Sequence, residues 1–157
     1  MDEVILSPID IRYESAIGCD VHRDTIVCHS LLKTVVGNLL KSKETFATTR
    51  TGLRFFVDWC RALDLQKIIM ESTGIYWMAP YDALESAKLP INIVNPAHVK
   101  RMDGKKTDEE DAYWLAKIAV NGTFTPSYIP PKEYRHLRLE CRNTTKMVES
   151  LVGYKNK

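Results

Sequence analysis

Several features that would assign this chain to a class at once are missing from its sequence. No apolar run approaches the roughly 18 residues that a membrane span needs, and the acidic N-terminus lacks the cationic region of a secretory signal. The four cysteines form no CxxC pair and no cluster with histidine at ligand spacing, which argues against a zinc site. We therefore predict a cytoplasmic protein with no membrane partner, whose cysteines are buried free thiols.

Excess charge of one sign is also absent. The 157 residues carry a net charge of +2, which excludes a polybasic protein held to nucleic acid by bulk charge alone. The distribution is uneven, because residues 132–157 have a net charge of +4 and the rest of the chain −2. With 45% hydrophobic and 27% charged residues, the composition is that of a globular chain long enough to bury a core.

The order of apolar segments predicts an α/β fold. We expect a tight antiparallel pair of strands, a third and more polar strand, and then alternating helices and strands. The predicted strands are 16–22, 24–32, 33–49 with a turn near Gly37-Asn38, 67–71 and 91–94, and the predicted helices are 53–63, 76–87, one capped by Asn95 before Pro96, 107–120, and one from 132 onward. A three-strand meander followed by βαβα indicates a mixed sheet covered by helices. The RNase H-like fold has this layout, and so do unrelated α/β folds.

Two acids stand at the ends of predicted strands. Asp20 follows the apolar run Ile17–Cys19, and Glu71 follows Ile68–Met70. Open α/β sheets place ligands at the carboxyl ends of their strands, so these acids are candidates for a site. The alternative is that Asp20 faces water at a turn and that Glu71 begins a solvated loop.

A third acidic segment opens the helix at 107–120. Thr107 and Glu110 match a capping box, which explains part of the charge. Asp108 and Asp111, however, share the helix face of the apolar stripe 112–119, where a carboxylate requires protonation, a cationic partner or a metal. Four carboxylates together favour a hard divalent cation, Mg²⁺ or Mn²⁺, and such ions serve phosphoryl transfer. If the fold brings the acids together, the sequence therefore predicts phosphodiester chemistry.

Four motifs in this order are typical of one known family. They are Gly18-Cys19-Asp20-Val21-His22, Glu71-Ser72-Thr73-Gly74-Ile75-Tyr76-Trp77, Asn95-Pro96 with Val99-Lys100, and Lys106-Thr107-Asp108-Glu109-Glu110-Asp111-Ala112. Over residues 16–150 the chain resembles the DEDD transposases of the IS-one-ten insertion-sequence family, to which the pilin-gene invertases belong.

The resemblance implies a RuvC-like, RNase H-type nuclease domain for DNA transposition. Asp20, Glu71, Asp108 and Asp111 would be its catalytic acids and its ligands for Mg²⁺, with Mn²⁺ as an alternative. DNA would be the substrate, and an element-encoded bridge RNA would guide the reaction in a prokaryotic cytosol, near the nucleoid.

The resemblance also implies a domain order. Residues 1–15 would be an N-terminal extension, 16–125 the nuclease domain, and 126–157 a connector and the start of a coiled-coil region. A further domain with a nucleophilic serine is expected after that region, and the sequence stops at Lys157, before it. The last helix approximates heptad spacing, which favours a homo-oligomer or docking on its own domain.

Basic and aromatic side chains supply candidate nucleic-acid contacts. Six basic residues could neutralise phosphates: Lys100, Arg101, Lys105 and Lys106 before the acidic helix, and Arg138 and Arg142 in the last one. A solvated basic surface is the alternative. Tyr76 and Trp77 could stack on a base, although we expect at least one of them in the core. His22 is either a contact to a phosphate or another ligand, or a turn residue.

Three other functions compete with the nuclease. The first is a DNA- or RNA-binding and dimerising module without chemistry of its own, and the second is a RuvC-like junction resolvase. The third is an actin-like ATPase, which ranks last because the glycine-rich phosphate loops that it needs after its strands are missing.

Overall fold

A six-stranded mixed sheet is the centre of the structure, a computed structural model that describes residues 2–4, 11–72, 74–99 and 108–155. Side chains are described for 11–72, 74–97, Val99 and 110–155. The chain forms two compact units, residues 1–127 and 128–157. The strands are β1 (Asp2–Val4), β2 (Ser15–Val21), β3 (Thr25–Lys33), β4 (Leu39–Ala47), β5 (Lys67–Glu71) and β6 (Ile91–Val94), and the helices are α1 (Arg50–Ala62), α2 (Met78–Ser86), α3 (Pro96–Val99), α4 (Asp108–Asn121) and α5 (Lys132–Lys155).

The sheet order is β1-β4-β3-β2-β5-β6. Strands β2, β3 and β4 form an antiparallel meander, and β5 and β6 continue the sheet parallel to β2. This arrangement confirms the predicted mixed sheet, with a meander followed by helical crossovers. Its register is anchored at Cys19, which pairs with Cys28 on β3 and with Met70 on β5.

Local sequence explains where most elements begin and end. Strands β5 and β6 have the predicted bounds, because each is a short apolar run between polar residues. Asn95 Oδ1 accepts a hydrogen bond from the Ala97 amide at 2.9 Å, which confirms the predicted cap before Pro96.

Several boundaries differ from the prediction. The turn predicted near Gly37-Asn38 is present, with Gly37 at φ 94°, but β3 runs on to Lys33 and the third strand, β4, begins only after the turn. Helix α2 is shorter than the predicted 76–87. Helix α1 starts three residues before the apolar stripe, because the Thr49 hydroxyl accepts from the Gly52 amide and caps it there. Strand β1 was not predicted.

The helices cover the two faces of the sheet separately. Gly18 on β2 faces α4, since a Cβ placed on it would lie 2.1 Å from the Ala116 nitrogen. Cys19 points to the other face, as successive strand residues do, and there it neighbours Cys60 of α1. Helix α2 packs beside α1. The sheet is therefore sandwiched between α4 on one side and α1 with α2 on the other.

Helix α4 approaches the sheet at backbone distance. The Cβ of an alanine substituted for Gly18 would also lie 2.3 Å from the Ala112 carbonyl oxygen. Ala112, Ala116 and Ala119 form the face of the helix that meets β2, and all three are fully buried. Small side chains on both partners allow this contact.

The outer edge of β6 is covered at its carboxyl end by the segment that follows α4. Pro126 bridges Val94, and the Ser127 amide donates to the Ile93 carbonyl at 2.8 Å. Pro126 has no N–H to offer on its outer side. No further strand can therefore receive an amide hydrogen bond from this residue.

The second unit is dominated by α5, whose 24 residues extend for about 36 Å. Its presence confirms the predicted C-terminal helix. Seven large hydrophobic side chains are exposed along it: Tyr134, Leu137, Met147, Val148, Leu151, Val152 and Tyr154. No helix in the described part of the chain is both long and apolar enough to cross a membrane.

The close contact at Gly18 predicts a strong effect of a single methyl group. Gly18→Ala should destabilise the protein by about 1–3 kcal/mol or more, since neither backbone can yield easily. Chemical denaturation followed by circular dichroism measures this. Gly153→Ala is the matched control, because that glycine lies in helix α5 with open space around it and the change should be neutral or slightly stabilising. Equal midpoints for Gly18→Ala and the parent would contradict the contact.

The cysteines divide into buried and exposed thiols. Cys19, Cys28 and Cys60 are buried and unoxidised, as predicted, whereas Cys141 is exposed, contrary to the general prediction of burial. Cys19 and Cys28 are cross-strand partners with their Sγ atoms 3.2 Å apart. Burial raises the pKa of the Cys28 thiol, and the neighbouring Cys19 raises it further. Burial likewise raises the pKa of Cys60.

These environments predict selective thiol chemistry. At pH 8 an aromatic disulfide reagent should modify Cys141 rapidly and the other three thiols only after denaturant is added, because thiolate is the reactive form and burial suppresses it. The absorbance of the released chromophore gives the number of thiols that have reacted. Cys141→Ser should remove the rapid phase, and a rapid phase that persists in this variant would refute the assignment.

Candidate active site

Two of the predicted acids lie side by side at the carboxyl ends of parallel strands. Cys19 pairs with Met70, and Asp20 and Glu71 are the next residue on each strand. Neighbouring strands are about 4.8 Å apart, so the two Cα atoms are close. Asp20 is only 8% exposed and Glu71 is half-buried. The pair therefore stands partly shielded at one edge of the sheet.

Both acids point to the α4 face. Asp20 is two residues beyond Gly18, and Glu71 is two residues beyond Ile69, the partner of Gly18. Because side chains alternate along a strand, all four positions project to the same side. The carboxylates thus face the helix that carries the other two predicted acids.

The direction of α4 brings its first turn to these carboxylates. At the far end of the helix, the Val120 carbonyl accepts from the Arg12 and Tyr13 amides, at 2.9 and 3.0 Å, just before β2 begins. In its middle, Ala112 and Ala116 lie against Gly18. The helix therefore runs opposite to β2, and its N-terminal turn is at the end of β2 where Asp20 stands.

Asp111 lies in that N-terminal region. It immediately precedes Ala112, it is half-buried, and it is one helical turn before the buried Leu115. The backbone at Asp108 opens the helix one turn earlier, while its side chain lies outside the described residues. Thr107, the expected cap, lies outside them as well. Three predicted acids, and the backbone of the fourth, are thus at one edge of the sheet.

His22 contacts Asp20, which the sequence analysis did not foresee. Its Nε2 lies 2.9 Å from Asp20 Oδ2, with 45% of the histidine side chain and 12% of the aspartate side chain exposed. The His22 amide donates to the Thr25 carbonyl at 2.9 Å and so closes the turn between β2 and β3. Spacing of i, i+2 places two side chains on one side of an extended chain, and this signal could have revealed the contact.

The donor set fits a hard divalent cation in its chemistry. Carboxylate oxygens are the ligands that Mg²⁺ and Mn²⁺ prefer, and a shielded group of acids needs a counter-charge. Among the described side chains, no three histidine, cysteine or acidic residues form a ready metal-binding group. The Asp108 side chain is not among them, so the four-ligand site stays a prediction.

The other predicted contacts have mixed outcomes. Lys100, Arg101, Lys105 and Lys106 lie outside the described residues. Arg138 and Arg142 are exposed and one turn apart on α5. Trp77 is half-buried and stacks edge-on against Tyr81 at 5.6 Å, and Tyr76 is exposed. Neither is among the buried core residues, contrary to the expectation that at least one of this pair belongs to the core.

The sequence profile of the DEDD transposases of the IS-one-ten type, described as transposase, matches residues 17–157. The chain belongs to this transposase family. The prediction from the four motifs is therefore confirmed at the level of the family. No protein of curated function matches the chain.

Solved structures show the same fold. The Thermus thermophilus RuvC structure is similar with a TM-score of 0.52 and 13% identity, over 72% of this chain and 99% of that one. T. thermophilus RuvC in complex with a Holliday junction substrate gives a TM-score of 0.50 and 14% identity over the same shares. These neighbours confirm the predicted RuvC-like, RNase H-type fold.

Proposed function

We propose that this transposase-family chain is a metal-dependent nuclease domain that cleaves and transfers DNA strands. The observation that carries the proposal is the position of Asp20 and Glu71, each one residue beyond the Cys19–Met70 pair, on the sheet face that α4 covers. A buried carboxylate is costly, and several close together are more so, unless a cation balances them. Shielded carboxylates grouped at the carboxyl ends of strands are typical of a functional site.

Asp20, Glu71, Asp111 and Asp108 would hold Mg²⁺ or Mn²⁺. Bound there, the metal supplies a Lewis acid for phosphodiester cleavage. The protein's own part is positional. The sheet fixes Asp20 and Glu71, α4 carries the two helical acids, and His22 restrains the Asp20 carboxylate at Oδ2. Outer contacts of this kind orient ligands and commonly affect affinity as strongly as direct ones.

DNA is the proposed substrate, and a guide RNA encoded by the same element is the proposed partner. Support comes from the transposase family and from the exposed basic residues of α5, among them Arg138 and Arg142. The exposed apolar residues of the same helix support self-association through α5. In this proposal α5 binds nucleic acid or a second copy of this chain, while the acids at the sheet edge carry out the cleavage.

A binding and dimerising module without chemistry is the second candidate. The apolar and basic surface of α5 favours it, since that surface serves association whether or not the acids bind a metal. A junction resolvase is a further variant of the nuclease, because RuvC with this fold has been solved with a Holliday junction substrate. Metal binding separates the module from both nucleases.

Metal binding should depend on the acids in a graded way. By calorimetric titration we expect Mn²⁺ binding to be lost in Asp20→Asn and Glu71→Gln, because each change removes a ligand. His22→Ala should weaken it by about 10- to 100-fold through loss of an outer contact. Glu44→Gln, an exposed acid on β4, is the matched control and should bind as the parent does. Unchanged binding in Asp20→Asn would support the module instead.

Cleavage should follow the same residues. The test uses a transposase that contains this domain with its downstream region. Asp20→Ala, Glu71→Ala and Asp108→Ala should each lower recombination at least about 100-fold, because losing a direct metal ligand should cost at least as much as the largest loss typical of an outer contact. The assay is product formation in Mg²⁺, with folding checked by circular dichroism. Recombination retained in all three variants would end the nuclease proposal.

A further inference from the structure

We propose that the cleft between α1 and α2 is a second nucleic-acid site, which binds the phosphates of a strand on the sheet face opposite to the carboxylates. The site goes beyond the nuclease function, since it needs neither a metal nor cleavage. It involves none of the six basic residues named above as candidate nucleic-acid contacts.

The cleft is open and has one charged wall. Its volume is about 540 Å³. Three arginines of α1, Arg50, Arg54 and Arg61, line one side, and the small side chains of α2, such as Ala83 and Ser86, line the other. The small residues leave room between the helices, and the long arginines border that room.

The arginines form a line along the helix. Separations of four and seven residues put them on one face, over a rise of about 16 Å. The one acid in the cleft, Asp58, lies 3.8 Å from Arg61 in an exposed ion pair. Among the described residues, neither Arg50 nor Arg54 has an ion-pair partner. The cleft therefore presents two uncompensated guanidinium groups.

Helix stability does not account for this charge. Arg50 is the first residue of α1, and the first turn holds no acid. A cation at a helix N-terminus opposes the macrodipole, so an arginine here costs stability instead of adding to it. The dipole and Arg50 together make this end of the cleft attractive to an anion.

A phosphate backbone is the anion that suits this shape. Guanidinium groups bind phosphate through paired hydrogen bonds, and cations spaced along an open line suit a polymer of phosphates better than a single small anion. The lining holds no aromatic side chain on which a base could stack. Contacts to phosphate position a strand without reading its sequence, so binding should be independent of sequence.

The cleft begins at the edge of the sheet that carries the acids. Arg50 follows the end of β4 at Ala47, which pairs with Thr25 at the start of β3. The turn closed by His22 and Thr25 is at this same edge, next to Asp20. A strand bound along α1 would thus reach the carboxylate edge from the opposite face.

Charge removal tests the site. Fluorescence anisotropy of the full chain should be measured with a 20-nucleotide single-stranded RNA and with a 20-base-pair DNA duplex, from 50 to 200 mM salt. We expect R50Q/R54Q to weaken binding of at least one probe by about 10-fold. The slope of log affinity against log salt should fall by about 1.4 for the single strand or about 1.8 for the duplex, since two phosphate contacts are lost. The probe whose binding is weakened shows whether the cleft binds single-stranded RNA or duplex DNA.

Controls separate local contacts from net charge. K33Q/K43Q removes the same charge from β3 and β4 and should have a smaller effect on affinity. R50K/R54K keeps the charge without the planar fork and should be intermediate. An acidic peptide is the third probe. The proposal would be overturned if R50Q/R54Q bound both nucleic acids with unchanged affinity and salt slope, or if it lost binding to the peptide alone. Mn²⁺ titration of R50Q/R54Q should match the parent, so failure here is distinct from failure of the nuclease.

Discussion

The contact between the backbone of α4 and Gly18 is the constraint on which the candidate site depends. A helix normally rests on a sheet through its side chains, but here the Ala112 carbonyl and the Ala116 nitrogen occupy the space that a Cβ would fill. Gly18 and Asp20 are two residues apart on the same face, so one short stretch of β2 both receives the helix and carries a candidate ligand. The position of Asp111 relative to Asp20 is therefore set by backbone packing.

Much of the fold could be predicted because the apolar runs are short and clearly bounded. The runs at β5 and β6 admit one interpretation, and the order of elements gives the mixed sheet. The start of α1 was missed because the cap at Thr49 precedes the apolar stripe. Strand β1 has three residues and owes its existence to pairing with β4, some 35 positions away, which local sequence does not encode.

The site was predictable in part for the same reason. The helical phase of Asp111 and the strand-end positions of Asp20 and Glu71 are properties of local sequence, whereas their approach requires the sheet register. The arginine line of α1 is visible in the spacing of Arg50, Arg54 and Arg61, but the cleft is not, because it arises from the packing of α1 beside α2. The contact of His22 with Asp20, by contrast, agrees with their i, i+2 spacing and was open to prediction from the sequence.

Pro126 has a consequence for how copies of this chain can meet. An exposed β-strand offers a row of amides to any other strand, and this is a common route to uncontrolled aggregation. Here the end of β6 at Ile93 and Val94 is covered by a residue with no amide hydrogen, followed by Ser127, whose own amide is already committed to Ile93. At that end of the strand, backbone pairing with another copy is disfavoured, so an ordered contact there would rely on side-chain complementarity.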